Sequence, residues 1–100
     1  MEVSFVDVDG ANVRYYHAGA GKRRLLLVHG FGMCADAWSY TIDGFADDFE
    51  VFAPDLLGHG YTDWINFPDG VAPQQHLVHY VGRFMDAVGI DRCCLAGSSL

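Results

Sequence analysis

Leu25-Leu26-Leu27-Val28 is an unbroken apolar run that stops at His29-Gly30-Phe31-Gly32. This junction limits the possible folds more than any other feature. A strand wetted on one face alternates apolar and polar side chains, so a run apolar at every position belongs to a strand covered on both faces, as in a parallel sheet. The glycines that follow allow the backbone to turn and present its N–H groups. Val51-Phe52-Ala53 is a second short apolar segment, and Pro54-Asp55-Leu56-Leu57-Gly58-His59-Gly60-Tyr61-Thr62-Asp63 comes after it. Arg92-Cys93-Cys94-Leu95-Ala96 reads as a third strand, short and buried, that runs into Gly97-Ser98-Ser99-Leu100.

The remaining segments supply what such strands need around them. Glu2 to Val8 and Asn12 to His17 are rich in Val, Phe and Tyr and are split by Asp9-Gly10, which predicts an antiparallel hairpin. Ala18-Gly19-Ala20-Gly21 is a flexible connection. Trp38, Ile42, Phe45 and Phe49 recur at helical spacing, predicting a helix from Asp36 to about Ala46 whose last turn Gly44 weakens. Tyr61 to Ala72 reads as an irregular loop, Pro73 suits the first turn of a second helix, and Gly89 suits its end. Leu77, Val81, Phe84 and Val88 give that helix an apolar stripe. Strands alternating with helices predict an α/β domain, a parallel sheet with helices on both faces.

Charge excludes some functions. The chain has 13 Asp+Glu against 6 Lys+Arg, a net charge of −7, and no basic stripe to neutralise phosphates, so nucleic acid is not an expected partner. No apolar run is long enough for a membrane span, and Met1-Glu2-Val3 lacks a signal-peptide pattern, so the expected location is the cytoplasm. Cys34, Cys93 and Cys94 are read as buried reduced thiols rather than a disulfide or metal framework. His76 and His79 share a helix face but have no third ligand at zinc spacing, so they are read as a solvated face.

A strand leading into small-x-Ser-x is a way to mount a serine on a strained strand-to-helix turn. Ser99 fits that position because Gly97 lies two residues before it, whereas Ser98 would need a small residue at Leu100. Strand-His-Gly-Phe-Gly, strand-Asp-x-x-Gly-x-Gly-x-Thr and strand-Gly-x-Ser, in that order, resemble the N-terminal part of an α/β-hydrolase, and the resemblance runs from about Val3 to Leu100. It implies the α/β-hydrolase fold, N-terminal part only: antiparallel entry strands, then parallel βαβ units ending at the nucleophile elbow. Residues 1–100 are then an incomplete portion of one domain. The sequence is expected to continue with Gly or Ala and to supply the remaining strands, the cap, an Asp or Glu and a His.

The same resemblance assigns roles. Ser99 is the catalytic nucleophile, and the backbone N–H groups of Phe31 and Leu100 form the oxyanion hole. His29 braces the oxyanion loop, and Gly30, Gly32, Asp55, Gly58, Gly60 and Gly97 support the loops. His59, between two glycines, is read as a surface loop residue. A serine needs a base to take its proton; in this family the acid and the His follow the serine, and every His here precedes Ser99. The resemblance implies a small-molecule substrate, no metal or organic cofactor, and leaves a homo-oligomer open. The stretch from Phe67 to Arg92 looks like the meta-cleavage-product hydrolases, which cleave a carbon–carbon bond in dienoate acids. Those enzymes usually carry Asn immediately before the nucleophile, where this chain has Ser98, as many esterases and lactonases tolerate. The carbon–carbon reading therefore stands only slightly ahead of a general esterase. Two alternatives stand beside the hydrolase: a non-catalytic ligand receptor of the same fold, and a dinucleotide-binding domain using Gly30-Phe31-Gly32 with Asp55.

Overall fold

The computed structural model describes residues 1–21, 23–30, 32–63, 70 and 72–97. Strands β1 (Glu2–Val8) and β2 (Ala11–Ala18) form the expected hairpin, in register from Glu2↔His17 to Val8↔Ala11. β2 pairs antiparallel with β4 (Glu50–Pro54), and β4 pairs parallel with β3 (Arg24–Val28). On its other side β3 pairs with β5 (Cys94–Gly97), again parallel. The order across the sheet is β1-β2-β4-β3-β5. The chain thus steps from β3 to β4 on one side, then crosses back to β5 on the other. Parallel strands whose connections leave in opposite directions open a crevice at their C-terminal ends. By that rule its place is between the ends of β3 and β5.

The apolar run of β3 divides its side chains between two cores. Leu26 and Val28 join Phe52, Leu56, Tyr80 and Phe84 on one face. Leu25 and Leu27 join Val51, Ala53 and Ile42 on the other. A residue such as Leu26, 0% exposed, contributes about 2–5 kcal/mol relative to alanine. Helix α2 (Pro73–Val88) covers the first face with Leu77, Tyr80 and Phe84, and Gly89 caps it.

The second face is covered differently from expectation. In place of a helix from Asp36 to about Ala46 there is a 3-10 turn, Ala35–Trp38, and a four-residue helix, α1 (Ile42–Phe45). Ser39, Thr41 and Gly44 donate their N–H groups three residues back, to Asp36, Trp38 and Thr41. Ser and Thr compete for backbone partners and Gly has the entropy to lose, so this segment takes the tighter pattern. The same break sets aside the dinucleotide alternative, which needs the glycine loop to open a helix of useful length.

β5 starts at Cys94 rather than Arg92, and its place at the end of the strand order among the described residues leaves Leu95 65% exposed. Burial comes from neighbours on both sides, and among the described residues only β3 pairs with it. Cys94, on this strand, is exposed, and Cys34 and Cys93 are half-buried, where buried thiols are expected. Among the described residues no helix is long and apolar enough to cross a membrane.

Candidate active site

The three motifs leave the sheet at one edge. His29 follows β3, Asp55 follows β4 and residues 98–100 follow β5; Val28 lies opposite Gly97 across the β3–β5 ladder. Phe31, Ser99 and Leu100 fall outside the described residues, while their neighbours Gly30, Gly32 and Gly97 are within them.

His29 is 0% exposed and joins the loops after β3 and β4. The N–H of Leu56 donates to its Nε2 at 2.9 Å, so Nδ1 carries the proton and donates to the Gly30 carbonyl at 2.7 Å. Burial is the main reason its pKa lies below the ordinary histidine value; His59 and Arg14 also push it down, against the opposite pull of the Gly30 bond and Asp55. The ring is a neutral brace whose only lone pair is already in use.

Asp55 is the hub of the second loop. Its carboxylate accepts from the N–H of Ala35 at 2.8 Å and of Tyr61 at 3.0 Å. Arg14, on β2 and 4% exposed, grips it with two bonds of 2.9 and 3.0 Å. Burial alone would lower the Arg14 pKa, but the bonds to Asp55 and the charges of Asp55 and Asp36 raise it instead. The guanidinium also lies between the rings of Tyr16 and Tyr61, 5.2 and 4.7 Å from their centroids. Tyr16 donates its hydroxyl to Asp36. Tyr80 donates to the Asp55 carbonyl at 2.5 Å, and burial, then the Asp55 charge, raises its pKa. Gly60 packs so tightly here that a Cβ would sit 2.5 Å from the Asp55 carboxylate, and its φ of +56° suits glycine as well. The Gly58 N–H closes the loop onto the Asp63 carbonyl at 3.0 Å.

Two residues of this frame escape a reading by sequence. Arg14 reads as one more polar residue of a hairpin, and only the β2–β4 pairing shows that it faces Asp55. His59, expected on the surface, is half-buried and tied in. The N–H of Gly32 donates to its Nε2 at 2.9 Å, and its Nδ1–H donates to the Leu57 carbonyl at 2.9 Å. The rings of His29 and His59 stand 5.2 Å apart, both with Nε2 accepting a backbone amide.

An apolar groove of about 390 Å³ lies at the ends of β3 and β5, bounded by Val28, Leu56, Leu77, Val81, Leu95 and Gly97, with no ionisable residue among the described ones lining it. His79 is exposed and His76 half-buried on α2. Among the described residues no three His, Cys, Asp or Glu are grouped to hold a metal ion.

The chain is similar to known proteins. The chain is 38% identical to the dihydrolipoyllysine-residue acetyltransferase component of an acetoin cleaving system from Cupriavidus necator, over 96% of this chain and 25% of that protein. It is 28% identical to epoxide hydrolase 4 of Homo sapiens, over 93% of this chain and 26% of that one. A crystal structure of a bacterial membrane phospholipase A superposes with a TM-score of 0.85 at 31% identity, covering 98% of this chain and 31% of the other. The chain thus spans about a quarter of the length of these curated relatives. Residues 23–100, which hold β3, β4, β5 and the junctions after them, match the sequence profile of the α/β hydrolase fold, and the chain belongs to that family.

Proposed function

We propose that this chain carries the nucleophile and the oxyanion donors of a serine hydrolase acting on ester substrates. The observation that supports it is that β3 and β5 end side by side, Val28 opposite Gly97, at the groove that these two residues help to line. One strand leads to the loop of Phe31 and the other to Ser99, so nucleophile and oxyanion donor would flank the same opening. Three amides of the β3 loop are engaged inside the protein: Gly32 with His59, Met33 with the Gly30 carbonyl, and Ala35 with Asp55. A donor for substrate has to come from elsewhere in the loop, and Phe31 is where the family resemblance puts it.

In this reading Ser99 Oγ attacks the carbonyl carbon, and the N–H groups of Phe31 and Leu100 take the charge that develops on oxygen. Such donors act in the transition state, where one is worth about 10²–10³ in rate. The alcohol leaves, and water then cleaves the acyl-enzyme. His29 and His59 each already accept an amide at Nε2, so neither is the base for Ser99. The base and its orienting carboxylate follow Ser99 in chain order.

The nucleophile also selects the substrate class. Serine attack on a carbonyl leaves an ester that water can reach, whereas its attack on an epoxide carbon would leave an ether with no carbonyl to hydrolyse. An epoxide substrate therefore fits Ser99 poorly, although one relative is an epoxide hydrolase. Cleavage of a carbon–carbon bond in a dienoate has only the 67–92 sequence behind it, and esters come first.

The test uses the full natural polypeptide that carries these residues. A fluorophosphonate should label Ser99 and not Ser98. Ser99→Ala should abolish ester turnover, by up to about a million-fold, because triad members act as a unit; Ser98→Ala should cost far less. Labelling of Ser98, or a Ser99→Ala variant that still turns over, would refute the proposal. Turnover of a yellow dienoate faster than a nitrophenyl ester would move the substrate to the carbon–carbon class.

A further inference from the structure

We infer that His59 is a positioning residue: it holds the Gly32 amide and so fixes the turn of the oxyanion loop next to Phe31. Gly32 sits at a φ of +82° with nothing within 4 Å of where a Cβ would be, so its own packing does little to restrict it. A glycine in open space samples many orientations of its peptide planes. What selects one is the acceptor that its N–H meets, the His59 Nε2 at 2.9 Å.

That acceptor is itself held still. The His59 ring donates from Nδ1 to the Leu57 carbonyl at 2.9 Å, which also determines the tautomer and leaves Nε2 as the lone pair. The His59 backbone N–H donates to the Leu56 carbonyl at 3.0 Å, and its carbonyl accepts from Thr62 at 3.0 Å. Leu56 in turn donates to His29. The ring is therefore a fixed arm on a braced turn, reaching into the loop that carries the proposed oxyanion donor. It acts through the Gly32 amide, which makes it a positioning group. Its catalytic consequence rests on the ester hydrolase reading, since a donor displaced by an ångström costs about 10²-fold in rate.

The experiment compares His59→Phe, a ring with no acceptor, with His59→Gln, whose amide oxygen can replace Nε2. Each is made in the full natural polypeptide, with nitrophenyl ester kinetics, hydrogen exchange at the Gly32 amide and the thermal midpoint recorded together. His59→Phe should lower kcat by about 10- to 100-fold with KM little changed, as expected for a loss felt mainly in the transition state. It should also speed exchange at Gly32. His59→Gln should restore most of both. His59→Ala repeats the loss should the Phe variant fold poorly.

Unchanged kcat in His59→Phe and His59→Ala would overturn the inference and leave the hydrolase reading standing. So would a loss of kcat that follows the thermal midpoint and is not restored by Gln. A wild-type protein whose Ser99 is neither labelled nor needed for turnover would overturn the hydrolase reading itself, and the inference would fall with it.

Discussion

The loops after β3 and β4 leave the sheet side by side, but one holds and the other is held. The loop after β4 carries its own anchors: Asp55 gripped by Arg14, His59 bonded to Leu57, and Thr62, whose Oγ1 accepts the Arg14 N–H at 2.9 Å. The loop after β3 offers mainly amides, and Gly32 and Ala35 reach across to side chains of its neighbour. His29 works in the other direction, by accepting the Leu56 N–H. The backbone of the loop after β3 thus derives its rigidity from a second segment. That separation puts the glycines in one loop and the buried ionic hub in the other.

Breaking the hub should have the largest effect on stability. Asp55→Ala leaves the buried Arg14 charge with only the exposed Asp36, 3.3 Å from its guanidinium, to pair with, and should cost about 3–5 kcal/mol, read from a denaturant midpoint. A loss as small as that of a surface substitution would mean that the second loop does not depend on Asp55. Gly60→Ala attacks the same point by crowding, since its Cβ would meet the carboxylate at 2.5 Å. A cost of about 1–3 kcal/mol is expected.

The His29 brace should show itself as a pH dependence. Burial holds its folded pKa below the ordinary value of 6.5, so below that pH the unfolded chain takes up a proton that the folded protein resists. Stability should be full above about pH 6.5 and fall as pH drops, by at most about 1.4 kcal/mol per pH unit for this one site. His29→Gln should flatten that slope between pH 6.5 and 5; an unchanged slope would show that His29 is not its source. Glu50 and Asp36, whose pKa values are lowered chiefly by bonds from His17 and Tyr16, should add a separate loss in the carboxylate range below it. The smallest effect is expected from Arg83→Ala. Its pair with Asp9 is exposed on both sides, 46% and 48%, and should leave the denaturation midpoint nearly unchanged.

What the sequence makes legible follows from how local each cause is. β3 can be read because continuous apolarity has one structural meaning, and α2 because Pro73 and Gly89 mark its ends. The segment from Asp36 to Ala46 misleads, since Trp38 and Ile42 keep helical spacing while Ser39, Thr41 and Gly44 favour tighter bonding. β5 is recognisable as a strand, but its exposure depends on which strands stand beside it. The Arg14–Asp55 contact spans 41 positions and leaves no periodic trace. His59 is hidden for a similar reason, because a histidine between glycines looks solvated until the loop it reaches is in view. The proposed roles of Phe31, Ser99 and Leu100 still rest on sequence, as these residues lie outside the described part.

The most direct measurement asks whether Ser99 carries a covalent intermediate. The full natural polypeptide is mixed with an activated ester, quenched within the first turnover, digested and examined by mass spectrometry. The account predicts the acyl mass on the peptide that contains Ser99, absent from Ser99→Ala and present in His59→Gln. An acyl group on another residue, or steady ester turnover by Ser99→Ala, would contradict it.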